Sequence, residues 1–465
     1  MANRELTNEV LNTSLPVVAE ITIYTLMSIF DLMMIGRYGG NIAVSAVGLS
    51  NNLTNSFIGI FISGGICIGI VSLVSRLVGA KQYKNAEKFA AIGFVLGAFI
   101  CLIITILVFT FGEQFLYILG ARNKVLDIGY SFIRINSIAM FFSMNMRLLN
   151  SILIGYGNTF IPFICSLVVM SLKIVLNYLL IYGILFKSRG IEGAAIASTI
   201  AYSCGFIFSF YYVILKSKIK FISFFKFKIS LRDIKRILFL AIPCSLEEAT
   251  FSISKLICVA IIIKSGSVSF AADEIANMIE GISVMPGIGF GVAVIALVGI
   301  NTGKRDFKKA KKSTYSCAFY AIFMMSIFAI IFLFMSNILV NFFVNEDEKK
   351  VAYLAGKCLA IGALEQPFIG ISMVFAGALK GMGDVKSPFF VSCFTSWVVR
   401  LPLTYYFIHV SKYPVTAVWW ITALQWGLDA LLMYIIFKYK FSKLPKRAIS
   451  RSINYVSRYY SHRII

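Results

Sequence analysis

Several ionisable side chains lie inside long apolar stretches of this 465-residue chain, where each costs several kcal/mol unless paired or hydrated. Glu20 and Asp31 are eleven residues apart, about three helical turns, so both carboxylates share one helix face, with Tyr24 one turn from Glu20. Lys173 stands about twelve residues from either end of its apolar run, too deep for its stem to carry the ammonium to water. Glu247 and Glu248 are neighbours and point roughly 100° apart on a helix. Glu248, Ser252 and Lys255 form a polar stripe, while Glu247 shares a side with Phe251 and Ser254. One of these acids is expected to face a cavity and the other a neighbouring helix, the alternative being an internally paired Glu248 and Lys255. Glu280, Glu365, Arg147 and Arg400 are further candidates. Asn145, Asn150 and abundant Phe, Tyr and Met suit a cavity for flat lipophilic cations.

Other chemistries are excluded on composition and spacing. Hydrophobic residues make up 59% and charged residues 14% of the chain, against about 45–50% and 25% in soluble domains, so neither a soluble enzyme nor a disordered protein fits. The nine Cys are scattered singly in apolar stretches, and the two His (His409 and His462) lie far from them in sequence; no metal site and no cofactor is expected. GINTGKR (299–305) has three residues between its glycines and Arg305 after the lysine, so it is not a phosphate loop. PGIGFG (286–291) sits inside an apolar run with no strand before it, and no enzyme is expected.

Twelve apolar runs can each cross a bilayer as a helix: 15–36, 48–75, 89–112, 128–154, 161–186, 191–215, 237–263, 275–300, 313–343, 352–379, 388–410 and 416–437. The first ten residues carry Arg4 against Glu5 and Glu9, so no cleaved leader is expected and the first run stays as a span. With a cytoplasmic N-terminus, 29 of the 44 Lys and Arg fall in cytoplasmic segments and eleven on the other side, which places both termini in the cytoplasm. The net charge of +23 is thereby a matter of topology and anionic lipid rather than nucleic acid.

The chain repeats itself. SLVSRLVGAKQYKNAEK (72–88) aligns with ALVGINTGKRDFKKAKK (296–312), GYGNTFIPF (155–163) with GMGDVKSPF (381–389), and Pro16/Glu20 with Pro243/Glu247, at offsets of 224, 226 and 227. The expected fold is an all-α membrane protein of twelve transmembrane helices in two parallel-repeat six-helix bundles. Residues 1–215 and 237–437 form the bundles, 216–236 a basic cytoplasmic linker with its lysines in headgroup water, and 438–465 a basic cytoplasmic tail. Paired bundles of this kind commonly build a midplane site that opens alternately to each side.

IFDLMMIGRYGG around Asp31, GAKQYKNAEK, GIEGAAIAST (190–199), AADEIA (271–276), GALKGMGDVKSP (377–388) and WVVRLP (397–402) resemble the multidrug and toxic compound extrusion transporters, in order and register from Pro16 to about residue 410. The resemblance implies two bundles arranged as a V and export of organic cations and other amphipathic compounds in exchange for H+ or Na+. It implies that Asp31 takes up the coupling cation, that the helix bends at Pro16 in switching, and that Glu247 and Arg400 match a carboxylate and an arginine of the family. The family pattern Asn-x-x-x-Asp, supplying cation ligands one turn apart, reads KIVLN (173–177) here, so Lys173 stands for Asn and Asn177 for Asp, and Ser198 replaces a frequent Thr. That departure adds two positive charges to a cation site. Lys173 is therefore expected to occupy the old cation position and to pair with Asp31, which protonation would release.

The resulting expectation is a secondary active exporter in a bacterial plasma membrane, coupled to H+ rather than Na+. Asp31, Lys173, Asn177, Ser198 and Glu247 would serve the coupling cation, and Glu20, Asn145, Asn150, Glu248 and Glu280 the cargo cavity. Its partners would be amphipathic drugs or organic cations and the lipid bilayer, with no nucleic acid and no obligatory protein. The alternative is a flippase for a lipid-linked precursor, whose cavity should be lined by Arg and Lys for pyrophosphate.

Overall fold

Apolar runs of this length have few stable forms in lipid, and the helix satisfies every backbone N–H and C=O within the segment. The computed structural model describes residues 2–183, 189–216, 230–344 and 348–461, and among them the chain is helical with short turns and no strand. Most of the expected basic linker, residues 217–229, lies outside the described residues, as does His462.

The first helical run, Ala2–Phe57, breaks at Gly40, whose φ of 62° and ψ of −160° suit a residue without Cβ. The break gives α1 (2–39) and α2 (41–79), the latter passing through a π-helical stretch, Ile58–Cys67, before Ile68–Gly79. Then come α3 (Tyr83–Ile118), α4 (Asn123–Gly155), α5 (Phe160–Tyr182) and α6 (190–216). In the second half α7 is Leu231–Ile263, begun by Ser230, whose hydroxyl accepts from the Asp233 N–H. Helix α8 (267–303) is two pieces, Ser267–Ser283 and Met285–Gly303, the second with Pro286 in its first turn. Helices α9 (Phe307–Asn341) and α10 (Lys349–Gly381) follow; α11 (386–410) alternates α and π turns, and α12 is Thr416–Ser461, which carries the helix far into the expected tail. These are the twelve expected spans. By length and hydropathy alone, nine helical runs among the described residues qualify. The first of the nine holds both α1 and α2, and α7 and α11 are not among them.

The repeat is visible in the backbone. Lys81 and Arg305, at matching positions, both adopt left-handed φ values of 58° and 63°, and Gly157 and Gly383 do so at 86° and 88°. The closing hydrogen bonds match as well: Gln82 N–H to Leu77 O and Asp306 N–H to Asn301 O are both 2.9 Å. A turn repeated in this detail means that each half enters and leaves the membrane in the same sense.

Each half has its own core. Ile62, Met144, Leu148 and Ile152 belong to the first, and Ile262, Phe332, Leu359 and Trp419 to the second. The start of α1 crosses over: Val10 and Val18 pack with Phe290 and Val294 of α8, and Glu9 pairs with Lys309 of α9 at 2.6 Å. At one end the halves also meet along a seam, where Gly79, Gly299 and Gly303 let α2 and α8 touch backbone to backbone. Beside it Lys88 of α3 binds Asp233, which precedes the apolar part of α7, at 2.7 Å. That contact and a hydrogen bond from Ser230 hold the Asp233 carboxyl below the usual carboxylate range.

Candidate functional site: two charged centres in the membrane

The first centre is built by α1 and α5. Lys173 and Asn177 are one helical turn apart on α5, so both face Asp31 of α1. The Lys173 ammonium forms an ion pair with Asp31 Oδ2, and Asn177 Nδ2 donates to Asp31 Oδ1 at 2.7 Å. All three side chains are buried, and the Tyr202 ring lies 5.6 Å from the ammonium. The expected pairing is therefore present. Ser198 does not join it: its hydroxyl donates to Ala194 O one turn back on its own helix, at 2.9 Å.

Glu20 lies about three turns earlier on α1. Asn150 Nδ2 donates to Glu20 Oε1 at 3.3 Å, and Ser209 donates to Asn150 Oδ1 at 3.0 Å. The Arg147 guanidinium sits 4.2 Å above the Tyr24 ring and supplies the positive charge near Glu20. Asn145 donates to Phe141 O at 2.9 Å. Glu20, Asn145 and Asn150, expected to line a cargo cavity, are all buried in the first half, with the hydrogen bonds just given. Pro16 stands inside α1 four residues before Glu20, and the carbonyl it frees, that of Asn12, is approached by Thr159 Oγ1 at 3.5 Å.

The second centre is a cavity of about 570 Å³ walled by α7, α8, α10, α11 and α12, with the π-helical stretch of α2 on the remaining side. The double glycine Gly64–Gly65 brings that stretch against α7, since a Cβ at Gly64 would meet Glu248 Cβ at 3.1 Å. Six acids line the cavity among the described residues (Glu247, Glu248, Asp273, Glu280, Glu365 and Asp429) against three bases, Lys255, Lys380 and Arg400. Phe251, Trp419 and Trp426 add aromatic faces.

Within this cavity Glu247 Oε1 pairs with Lys380 at 2.9 Å, while its other oxygen has no hydrogen-bond partner. Glu365 is fully buried and no donor reaches either of its oxygens; the Glu280 carboxyl faces it, and Gln366 donates to Glu280 at 3.2 Å. Trp419 Nε1 donates to Asp273 at 2.9 Å. Asp429 accepts from Ser372 and, at 2.9 Å, from Thr395. Arg400 is buried in the wall with its Nε unpartnered.

Two expectations change here. Glu248 and Lys255 both line the cavity but form no ion pair, because seven residues of helix separate them by about 10 Å of rise. Lys380, counted among the loop charges, is a wall residue. Helix α10 runs on to Gly381, and side chains on a helix lean toward its N-terminus, so the ammonium points back into the cavity. Asp429 and Asp273 were missed as well. The available signal was an acid in the middle of the twelfth apolar run, one turn after Gln425.

The MatE family model matches residues 16–179 and 243–406, once in each half. The chain is 23% identical over 421 residues to the uncharacterized transporter YisQ of Bacillus subtilis (strain 168), covering 90% of this chain and 91% of that protein. It is 24% identical over 425 residues to the probable multidrug resistance protein NorM of Thermotoga maritima, covering 89% and 88%. Among solved structures, a MOP superfamily transporter from Pyrococcus furiosus superposes with a TM-score of 0.88 at 20% identity, over 95% of this chain and 97% of that one. The outward-facing conformation of a multidrug resistance MATE family transporter also gives 0.88, at 20% identity and over 94% and 96%. Both matched stretches together take in well over half of the sequence, and the chain belongs to the MatE family of multidrug efflux transporters, which are membrane carriers and not enzymes.

Proposed function

We propose that this protein exports amphipathic organic cations by alternating access of its two six-helix halves, driven by the entry of protons. In this reading the basic turns, the linker and both termini face the cytoplasm of a bacterial cell. The observation that carries the proposal is the excess of six acids over three bases around an aromatic-lined cavity. A carboxylate-rich, low-dielectric chamber attracts a delocalised cation, and its aromatic faces add cation–π contacts. The same excess disfavours the flippase alternative, since a pyrophosphate would meet more carboxylates than ammonium groups.

Proton rather than sodium coupling rests on the first centre. Asp31 already has a tethered cation in Lys173 and an amide in Asn177, so a free Na+ would have to displace a charge that cannot leave. A proton can compete, because it neutralises Asp31 and releases the ammonium. Glu247 serves as the matching carboxylate in the second half: cargo and proton exclude each other there by charge.

Everted vesicles or proteoliposomes decide the matter. An imposed pH gradient is expected to drive accumulation of ethidium or tetraphenylphosphonium. Replacing all Na+ by choline should change the rate less than twofold. Accumulation driven by a sodium gradient at equal pH overturns the coupling, and preferential movement of an anionic lipid probe overturns the cargo.

A further inference from the structure

The floor of the cavity and the seam between the halves share one residue. At the end of α10 the Lys380 carbonyl accepts from the Gly383 N–H at 2.9 Å, and the first half adds side-chain donors around the same turn. Ser72 of α2 donates its hydroxyl to the Lys380 carbonyl at 2.5 Å. Arg76, held by its Nε to Ser72 O at 2.8 Å, extends Nη1 toward Met382 O at 3.5 Å. A Cβ on Gly383 would overlap that guanidinium, and a Cβ on Gly79 would overlap Ile300 O across the seam. The backbones are therefore in direct contact, and the last turn of α10 cannot shift while the seam stays shut. The side chain of the same Lys380 reaches the other way, to Glu247 in the cavity.

We infer that Lys380 is a positioning residue that ties the charge state of the cavity to closure of the seam. While Glu247 holds its ammonium, the last turn of α10 stays where Ser72 and Arg76 can bind it. When a proton from cavity water neutralises Glu247, Lys380 turns away, the last turn of α10 moves with it, and the halves part at this end. The inference rests on the alternating-access reading above. The groups that then face the ammonium are Cys244 and Glu248 from α7 and Asp429 from α12. Helix α2 offers only Gly59, Ser63, Gly64 and Ile68 to the cavity, and α11 adds Ser392 near this point. Glu248, more exposed than Glu247 and on the same helix, is the carboxylate toward which Lys380 swings. That movement converts one proton into a displacement of the turn that carries the latch.

Spin labels at the exposed Lys84 and Lys308, one on each half beside the seam, read the separation directly. They are introduced as Lys84→Cys and Lys308→Cys in the full chain, with Cys204 and Cys393 replaced by Ser. At pH 8 the otherwise unaltered protein should give one short distance, with a longer one gaining population as the pH falls. Glu247→Gln and Lys380→Met should each place at least half of the molecules at the longer distance, at every pH. Lys380→Arg should restore the short distance at pH 8. Ser72→Ala, which leaves the ion pair intact, should shift the balance partway. If Glu247→Gln keeps the short distance and the pH response of the parent, the link does not exist. Tetraphenylphosphonium transport measured alongside separates the two ideas. Loss of proton-driven export with a normal distance response defeats the transport reading alone. Normal export with a seam indifferent to Glu247 and Lys380 defeats the link alone.

Discussion

The two halves descend from one pattern yet treat their buried charge in opposite ways. In the first, Asp31 has Lys173 and Asn177 on its two oxygens, and Glu20 has Asn150 with Arg147 nearby. In the second, Glu365 has no donor on either oxygen, Glu247 keeps one oxygen free, and Glu248 and Lys255 face open space. A buried carboxylate with its partners in place is a lock, because removing either partner strands the other charge in a low dielectric. One left incomplete beside a cavity waits for a proton or a cationic ligand. The repeat thus supplies the frame twice, and a few substitutions make one copy a closed pair that only a proton can open and leave the other open to proton and cargo alike.

The sharpest way to break this contrast is Asp31→Asn. It leaves the Lys173 ammonium buried without its counter-charge and should cost about 3–5 kcal/mol in detergent unfolding. The double variant Asp31→Asn with Lys173→Met should recover most of that loss. If the single variant is as stable as the parent, the first centre is not a lock.

Glu365→Gln tests the other side. It puts an amide of the same shape where a carboxyl facing Glu280 could give up its proton to an arriving cation, so stability should change little, while affinity for tetraphenylphosphonium should drop roughly tenfold, about 1.4 kcal/mol. Isothermal titration at fixed pH measures this, and a larger loss of stability than of affinity would reverse the comparison. Lys255→Gln, which raises the acid excess, should tighten the same cation several-fold.

The smallest effect belongs to the half-buried Lys88–Asp233 pair that joins the halves. Asp233→Asn removes the Lys88 contact and should cost at most about 1 kcal/mol at neutral pH. The Asp233 carboxyl is held below its ordinary range in the folded chain, so its contribution is fully present above the unfolded value near 3.9. It fades as the pH falls through the lower folded value. Melting curves of the parent and the variant should therefore converge only under strongly acidic conditions. Convergence already near pH 6 would mean that a different group holds this corner.

The second centre was harder to read in advance than the first. Asp31 and Lys173 announce themselves because an ionised group deep in an apolar run demands a partner, and few are available. Lys380 sits at the edge of its run, where a lysine ordinarily reaches water, and only the continuation of α10 to Gly381 turns it inward. Ser198 and the Glu248–Lys255 stripe show the converse. Helical spacing says which residues share a face, and says nothing of whether a hydroxyl bonds back to its own helix or whether two turns of rise keep a pair apart.

What the sequence determined by itself follows from costs that hold wherever the chain sits in lipid. Apolar length sets the twelve helices, the near-constant offset sets the two like halves, and charge deep in a span marks the residues that need partners. What the tertiary structure alone decided is which helices those charged faces meet. Close contact of α2, α7, α8 and α10 at glycines is a matter of three-dimensional packing. It puts Lys380 between Glu247 and the seam, and leaves the acids of the second half around a cavity.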